Sequence, residues 1–380
     1  MLSFSTIAVF VLMFSLFGGI NLYLSHRVHQ CLQHFFPKCS KWYTVAFFLA
    51  MMLGMILGFI RSMLPISPVL RNVLGTVSSY WMGIFVYLLL FMLLADMLYL
   101  ILRSFHPVSP TRFLTILAAF VFALGTGVYG FVHANDLQHV SYDVSVSDIH
   151  AEETKLVMIS DLHLGAVGSE KRLAKIVEEI NALQPDLICI AGDFFDNDFA
   201  AIRSPEKAAQ TLKELQAKYG VYVCPGNHDS GQTVPDMLRF WEDCGIRLLA
   251  DDYIVIDDRL ILAGRLDPSP IGGFDGRRRA PLETVLSDAP NDLPVIIMDH
   301  NPISAASYGS GVSLVLSGHT HKGQIFPGSL ITRRMYDVDH GCWQKDSNSP
   351  YVVVTSGVGT WGMPMRVGTD SEIVSITLHP

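Results

Sequence analysis

Five short motifs rich in aspartate and histidine follow one another through the second half of this chain: Asp161-Leu162-His163, Gly192-Asp193-Phe194-Phe195-Asp196, Gly226-Asn227-His228-Asp229, Asp299-His300 and Gly318-His319-Thr320-His321. Carboxylate, amide and imidazole groups together supply the mixed oxygen and nitrogen donors that a pair of divalent cations accepts. One carboxylate can bridge, and open positions remain for a water and a phosphate oxygen. Asp161, His163, Asp193, Asn227, His300, His319 and His321 make up such a set. Glycines 192, 226 and 318 permit sharp turns beside it. His319 and His321 stand two residues apart, so an extended segment would send both rings to one side, where they could serve two neighbouring ions. A single Asp-x-His is usually a turn. Five motifs in this order point to a two-metal hydrolase.

The elements around the motifs alternate. Lys155–Ile159 reads as a strand running into Asp161. Ser169 is a plausible N-cap for a helix with Leu173, Ile176, Val177 and Ile180 on one face, and Pro185 lies beyond its end. Asp186–Ala191 is a second strand. A helix from Ser204-Pro205 places Ala208, Leu212, Leu215 and Tyr219 on one side and stops at Gly220. Val221–Cys224, a helix near Val234–Cys244, a hairpin around Asp257-Asp258, and strands at Pro294–Met298, Val312–Leu316, Tyr351–Thr355 and Glu372–Leu378 complete the pattern. Each motif thus sits where a strand ends, the edge at which open α/β sheets collect their chemistry.

Residues 1–133 are of another kind. They carry seven Lys/Arg and one acid, Asp96, for a net charge of +6, whereas residues 134–380 carry −14. The mean hydropathy of +0.35 comes from the first part. Four apolar stretches, at residues 1–24, 42–60, 80–102 and 113–132, each approach the roughly 20 residues that a membrane-crossing helix needs. This organisation predicts a four-span anchor over 1–133, a linker over 134–150 and a soluble domain over 151–380. Loops 25–41 and 103–112 hold five basic residues against two in 61–79. The positive-inside rule then places the N-terminus and the soluble domain outside the cytoplasm, on a multipass protein of the cell membrane. Asp96 is expected to pair with Arg103 or with a neighbouring helix. Gly125, Gly127 and Gly130 suit close helix packing.

The motifs resemble the pattern of the calcineurin-like metallophosphoesterases: Asp-x-His, Gly-Asp-x-x-Asp, Gly-Asn-His-Asp/Glu, a single His and Gly-His-x-His. With four preceding spans, Gly323–Pro327 and Gly357–Gly362, the chain is most similar to the transmembrane metallophosphoesterase branch. That branch is related to bacterial enzymes acting on phosphoesters and on UDP-diacylglucosamine. The resemblance implies a four-layer αββα sandwich. It assigns Asp161, His163, Asp193 and His321 to one metal and Asp193, Asn227, His300 and His319 to the other, with Asp193 bridging. His228 would protonate the leaving oxygen, with Asp229 orienting it, and Asp196 would take a supporting or loop-capping role. The two ions would be Mn, Fe or Zn. Relatives often have glycine where Lys322 follows the last histidine, which leaves that lysine without an assigned role.

These residues predict hydrolysis of phosphomonoester, phosphodiester or pyrophosphate bonds without a covalent enzyme intermediate. A membrane anchor favours lipid-linked substrates such as UDP-diacylglucosamine-like glycolipids or phospholipids. Arg277-Arg278-Arg279 and Arg333-Arg334 could meet anionic lipid or a substrate phosphate. The acidic domain argues against nucleic acid as a partner. Cys189 and Cys224 suit buried apolar positions rather than nucleophiles. His139, His150, His340 and His379 read as ordinary surface or core residues. The alternative is a membrane sensor or scaffold that keeps the hydrolase fold without catalysis, which the complete ligand set disfavours.

Overall fold

A computed structural model describes residues 4–105, 110–146, 153–165 and 167–380. His150, the end of the expected linker, the first three residues of the first span and the middle of loop 103–112 lie outside the described residues.

Four helices open the chain: α1 (Phe4–Phe35), α2 (Lys41–Phe59), α3 (Pro68–Phe105) and α4 (Pro110–His133). All four are long and apolar enough to cross a membrane. Leu12, Phe59, Leu100 and Phe122 are among many large apolar side chains facing outward on them, a surface that water penalises and hydrocarbon does not. The helices outrun the apolar stretches. α3 begins at Pro68 rather than near Tyr80, and α1 continues past Leu24, so Arg27 and Arg71 lie on helices instead of loops. Arg27 thereby reaches Asp96, with Nε at 3.0 Å and Nη2 at 2.6 Å from Oδ2, while Tyr23 donates to the same oxygen at 2.8 Å. Of the two expected pairings of Asp96, the structure takes the one with a neighbouring helix. Gly125 faces open space, contrary to its expected packing role. At Gly58 an added Cβ would collide with Ser78 of α3.

The chain from Phe131 onward forms its own compact unit. Its strands are β1 (Leu137–Ser145), β2 (Thr154–Ile159), β3 (Leu187–Ala191), β4 (Val221–Cys224), β5 (Arg247–Leu248), β6 (Asp252–Ile256), β7 (Leu260–Gly264), β8 (Val295–Met298), β9 (Leu314–Ser317), β10 (Gly341–Gln344), β11 (Tyr351–Val354) and β12 (Ser371–His379). Its helices are α5 (Ser169–Ala182), α6 (Pro205–Leu212), α7 (Val234–Asp243), α8 (Leu282–Val285) and α9 (Gly328–Met335). Two six-stranded sheets form, in the orders β1-β12-β2-β3-β4-β5 and β10-β11-β9-β8-β7-β6. One apolar layer lies between them, with Met158, Cys189 and Val374 meeting Leu262, Met298 and Leu316. α5, α6 and α7 cover the outer face of the first sheet through Leu173, Ile180, Leu212 and Trp241. Leu282 of α8 and Ala305 of a short 3₁₀ turn cover the outer face of the second. Mixed sheets with helices outside them follow the expected layering.

Local differences from the sequence expectation have identifiable causes. β1 occupies most of the stretch expected as a linker, because Val140, Tyr142 and Val144 alternate against the inter-sheet layer and the strand pairs in parallel with β12. Ser169 is the first helical residue rather than the cap; Gly168 caps α5, and Ser169 Oγ accepts the Gly165 N–H at 3.1 Å. α6 ends at Leu212 instead of reaching Tyr219. Asn181 accepts the Gln216 N–H at 2.9 Å and donates to the Glu214 carbonyl at 2.7 Å, offering the backbone partners outside a helix. The hairpin forms as expected, with Asp257 and Asp258 both at φ 50°, as a type I′ turn requires.

β2, β3 and β4 run parallel in the first sheet and β8 and β9 in the second. All five motifs leave the C-terminal ends of these strands.

Candidate metal centre

Where β2, β3 and β9 end, the chain turns with the candidate residues themselves in the left-handed region. Asp161, His163, Asp193, His319 and His321 have φ of 56°, 46°, 50°, 70° and 48°. Non-glycine residues there cost roughly 1–2 kcal/mol each, so the surrounding structure must hold them in place. The His-Thr-His segment is therefore a turn rather than the extended run expected. The three motif glycines serve two purposes. Gly192 has a positive φ of 80°, whereas at Gly226 and Gly318 an added Cβ would collide with Asp193 and with Ser160 and Asp161, respectively. Lys322 also adopts a left-handed conformation, φ 53°, which explains physically why glycine suits that position.

The turn sends its two rings to different places. His321 joins Asp161 and His163, and His319 joins Asp193 and His300, in two of the three groups of described residues whose donor atoms could each hold a metal ion, the third being His163, Asp196 and His228. In the first group His321 Nε2 lies 3.2 Å from both Asp161 Oδ1 and His163 Nε2. In the second, His300 Nε2 is 3.1 Å from Asp193 Oδ2 but out of line for a hydrogen bond. His319 Nδ1 is 2.8 Å from Asn227 Oδ1. Asp193 Oδ2 also lies 3.7 Å from His163 Nε2, so a single oxygen borders both groups.

Donors of one ion at about 2.0–2.2 Å from it stand about 3–3.6 Å from one another; the 3.2 Å spacings from His321 and the 3.1 Å spacing of His300 to Asp193 fall in that range, and His163 Nε2 to Asp161 Oδ1, at 3.9 Å, is wider. Two imidazole nitrogens facing each other at 3.2 Å make little sense as a permanent hydrogen bond between two metal-binding edges. His300 Nδ1 meets the Ala191 carbonyl at 2.8 Å, which fixes the proton on that nitrogen and leaves Nε2 as a lone-pair donor. That Nε2 is a buried atom with no hydrogen-bond partner among the described residues. Buried polar atoms without partners are costly, and a shared cation removes the cost. By donor chemistry and spacing, these residues fit a pair of divalent ions.

Electrostatics agree with that fit. Burial pushes His163 down to about 3 and His319 and His321 down to about 4, so all three are neutral donors at pH 7. Burial alone would raise Asp161 and Asp193. The imidazoles of His321 and His300 beside Asp161, and of His300 and His163 beside Asp193, outweigh it and hold both carboxyls below their ordinary range. Burial would lower His300, but the Asp193 carboxylate holds it well above the usual imidazole value in the absence of cations.

His228 borders the same space, its ring centroid 5.1 Å from that of His163 and 5.8 Å from that of Trp361. Its backbone N–H donates to Asp193 Oδ1 at 2.8 Å. Asp229 faces the other way. Its carboxylate accepts the N–H groups of Phe194, Phe195 and Gly226 at 3.1, 2.7 and 2.9 Å. Burial and the Asp193 charge push it up to about 7 against those three donors. Asp196 Oδ1 stands 3.8 Å from His163 Nδ1, beyond hydrogen-bond reach.

Several neighbours escaped the sequence reading. Arg366 is fully buried and donates to the carbonyls of Ser356, Gly357 and Gly359, while Ser356 Oγ donates in turn to the Asp370 carbonyl. Gly357 and Gly359 pack so closely on Asp161 that a Cβ on either would collide with it. Arg366 thus supports Asp161 from behind, and a lone Arg after a glycine-rich stretch carries no pattern that would reveal it. Asp267 is buried with Oδ2 unpartnered among the described residues, and burial pushes its carboxyl up. Asp299, read as part of a motif, points away from the centre. Arg279 grips it at 2.9 and 2.6 Å and Tyr308 donates to it at 2.7 Å, which removes Arg279 from the pool of arginines free for lipid or phosphate. Cys189 and Cys224 are buried, and burial pushes both thiols far up, as inert packing residues.

Residues 154–323 match the family model for calcineurin-like phosphoesterases. A Caenorhabditis elegans protein named as a metallophosphoesterase is 30% identical over 336 residues, covering 81% of this chain and 68% of that protein. A Danio rerio protein named "transmembrane protein with metallophosphoesterase domain" is 32% identical over 284 residues, or 70% of this chain and 62% of its own length. This chain therefore spans less than two thirds of the zebrafish protein. The solved 5′-nucleotidase precursor from Thermus thermophilus aligns with 60% of this chain and 55% of its own at 14% identity, with a TM-score of 0.37.

Proposed function

This chain belongs to the calcineurin-like metallophosphoesterases and is a metal-dependent phosphoesterase, and from that premise we propose which residues carry the reaction and on what substrate. Asp161, His163 and His321 hold one divalent cation, Asn227, His300 and His319 hold the second, and Asp193 bridges them. The observation that carries this reading is the position of Asp193 Oδ2, 3.1 Å from His300 Nε2 and 3.7 Å from His163 Nε2. Bound there, a divalent pair supplies Lewis acidity toward a phosphoryl oxygen and lowers the pKa of a water toward neutrality.

The protein's own groups do the rest. Asp193 is held for its task by the His228 N–H on Oδ1, which leaves Oδ2 for the shared position. Ser160 Oγ donates to Asp161 Oδ2 at 2.7 Å and the His319 N–H reaches the same carboxylate, fixing its plane. His228 donates a proton to the departing oxygen; its ring is bordered by His163 and Trp361, and its Nδ1 has no hydrogen-bond partner among the described residues. Asp229 acts through the backbone of both neighbouring loops.

The substrate is a phosphoester carried by a lipid. Membrane association through the four apolar helices supports this, and so does the acidic character of residues 134–380, net −14, which disfavours polyanions such as nucleic acid. The domain lies outside the cytoplasm, on the loop-charge argument. The test is turnover by the purified full-length protein, stripped with chelator and then supplied with Mn²⁺, Fe²⁺ or Zn²⁺. It is run against a soluble phosphodiester and against phospholipid and nucleotide-linked glycolipid substrates in mixed micelles. Metal-dependent release of phosphate or headgroup from a lipid substrate supports the reading. Turnover confined to the soluble ester rejects the lipid assignment.

A further inference from the structure

α9 is an amphipathic helix mounted the wrong way round. Its inward side consists of Gly328, Ser329 and Thr332, and none of its residues is buried. Leu330, Ile331 and Met335 are 57%, 60% and 61% exposed, Phe326 just before the helix is 48% exposed, and Arg333 and Arg334 point outward among them. A helix on a soluble domain normally buries its apolar stripe. Here the apolar and basic residues share the outer face. Neither arginine has a hydrogen bond or ion pair among the described residues.

The helix is also tied to the metal centre at both ends. Gly323, two residues after His321, and Gly328 approach so closely that a Cβ on either would collide with the other's backbone. Thr332 Oγ1 donates to Asp339 Oδ2 at 3.0 Å, and Thr320 of the His-Thr-His turn donates to the Asp339 carbonyl. Tyr336, which follows α9 directly, sets its ring edge-on to His319 with centroids 6.1 Å apart.

We propose that α9 is a membrane-interface helix that seats on the surface of an anionic phospholipid bilayer and presents lipid phosphoesters to the metal centre beside it. Large apolar side chains interleaved with arginines are the composition that binds such surfaces. Arg333 and Arg334 have no acidic partner among the described residues, and this local pair of positive charges on the exposed face of α9 complements an anionic surface even though residues 134–380 carry −14 overall. The bilayer is already attached through the chain itself, because α4 gives way to β1 after only residues 134–136. The purpose of α9 rests on the lipid-substrate reading above, but its detection does not.

Full-length protein carrying Ile331→Cys, with Cys31, Cys39 and Cys342 replaced by Ser, is labelled with an environment-sensitive dye. It is placed in nanodiscs of phosphatidylcholine alone or with about 30% phosphatidylglycerol, a content chosen to give a strongly anionic surface, containing spin-labelled lipid as quencher. A Lys213→Cys label serves as control. The expected result is strong quenching at 331, roughly three-fold or more greater with the anionic lipid, and little at 213. In the Arg333→Glu/Arg334→Glu variant quenching falls and the rate on a bilayer-borne phosphoester drops roughly ten-fold or more, while the rate on a soluble phosphodiester stays within about two-fold and reports an intact fold. Equal, weak quenching at 331 and 213 overturns the proposal. So does shielding at 331 that follows protein concentration rather than lipid, which would assign the face to a second copy of the chain. Quenching at 331 with no lipid phosphoester turned over leaves the membrane contact standing and removes only the lipid-substrate reading.

Discussion

Asp229 accepts the backbone N–H of Phe195 at 2.7 Å. Because the same carboxylate also takes Gly226 N–H, it clamps the loop that carries Asp193 to the loop that carries Asn227 and His228. Sequence reasoning had Asp229 orienting the His228 ring, and the two roles predict different kinetics. As a clamp, its loss disturbs the metal donors, so Asp229→Ala should lower metal affinity and turnover by about 10–100-fold, equally for good and poor leaving groups. Isothermal titration with metal and a leaving-group series measure this. A loss confined to poor leaving groups, with metal affinity unchanged, would restore the orienting role.

His228→Gln removes a proton donor without removing a metal donor. Both ions should stay bound, and turnover should fall by roughly 10²–10⁴-fold for alkyl phosphoesters. The penalty should shrink toward nothing for nitrophenyl esters, whose leaving oxygen needs no proton. A uniform loss across leaving groups would count against proton donation by this residue.

Stability of the metal-free protein should depend on pH with a defined sign. His319 and His321 lie near 4 and His163 near 3 when folded, against an ordinary 6.5. Between about pH 6.5 and 4 the unfolded chain therefore binds more protons than the folded one, so stability falls as pH falls through that window. His300 is held high, and its contribution is complete below 6.5 and lost only as pH rises through its folded value. It adds no slope on the acid side, whereas Asp229, pushed up to about 7, contributes the opposite slope between about pH 7 and 4 and offsets part of the effect of the three histidines. Melting temperatures of chelator-treated protein from about pH 7 to 4.5 should decline steadily, and excess metal should move the decline to lower pH because binding displaces protons. A flat metal-free profile would contradict the buried-neutral assignment.

The domain's side of the membrane is open to direct labelling. Protease added to intact cells or spheroplasts should remove the chain beyond about residue 134, while a membrane-impermeant thiol reagent should not reach Cys31 or Cys39, both part-exposed near the connection between α1 and α2. The structure carries Arg27 and Arg71, one from each side of the loop count, onto helices, and pairs Arg27 with Asp96. External labelling of those cysteines with a protected domain would reverse the orientation.

Much of the centre was legible because its chemistry is compressed into short motifs at strand ends. Residue type and order were enough to single out Asp161, Asp193 and the histidines, and apolar periodicity located β2, β3 and α5. What the sequence could not convey is which backbone atoms compete for a side chain. α6 stops early because Asn181 offers its backbone other partners, and Asp229 serves N–H groups instead of a ring. β1 was hidden in plain sight: Val140, Tyr142 and Val144 alternate, but polar neighbours and a position beside a membrane span made the stretch look like a linker. Arg366 illustrates the remaining gap, since an arginine that satisfies carbonyls behind a metal donor has no local pattern.

Asp193→Asn tests the central claim most directly. The substitution keeps the size and shape of the side chain but removes the charge that lets one oxygen serve two cations. Metal content per chain by mass spectrometry, measured with turnover on the same sample, should fall from two ions to one or none. Hydrolysis should drop by roughly 10³-fold or more, by analogy with losing a preorganised charge at a reacting centre, with the fold retained by circular dichroism. Two ions per chain and a rate near that of the parent protein would contradict the shared-carboxylate centre.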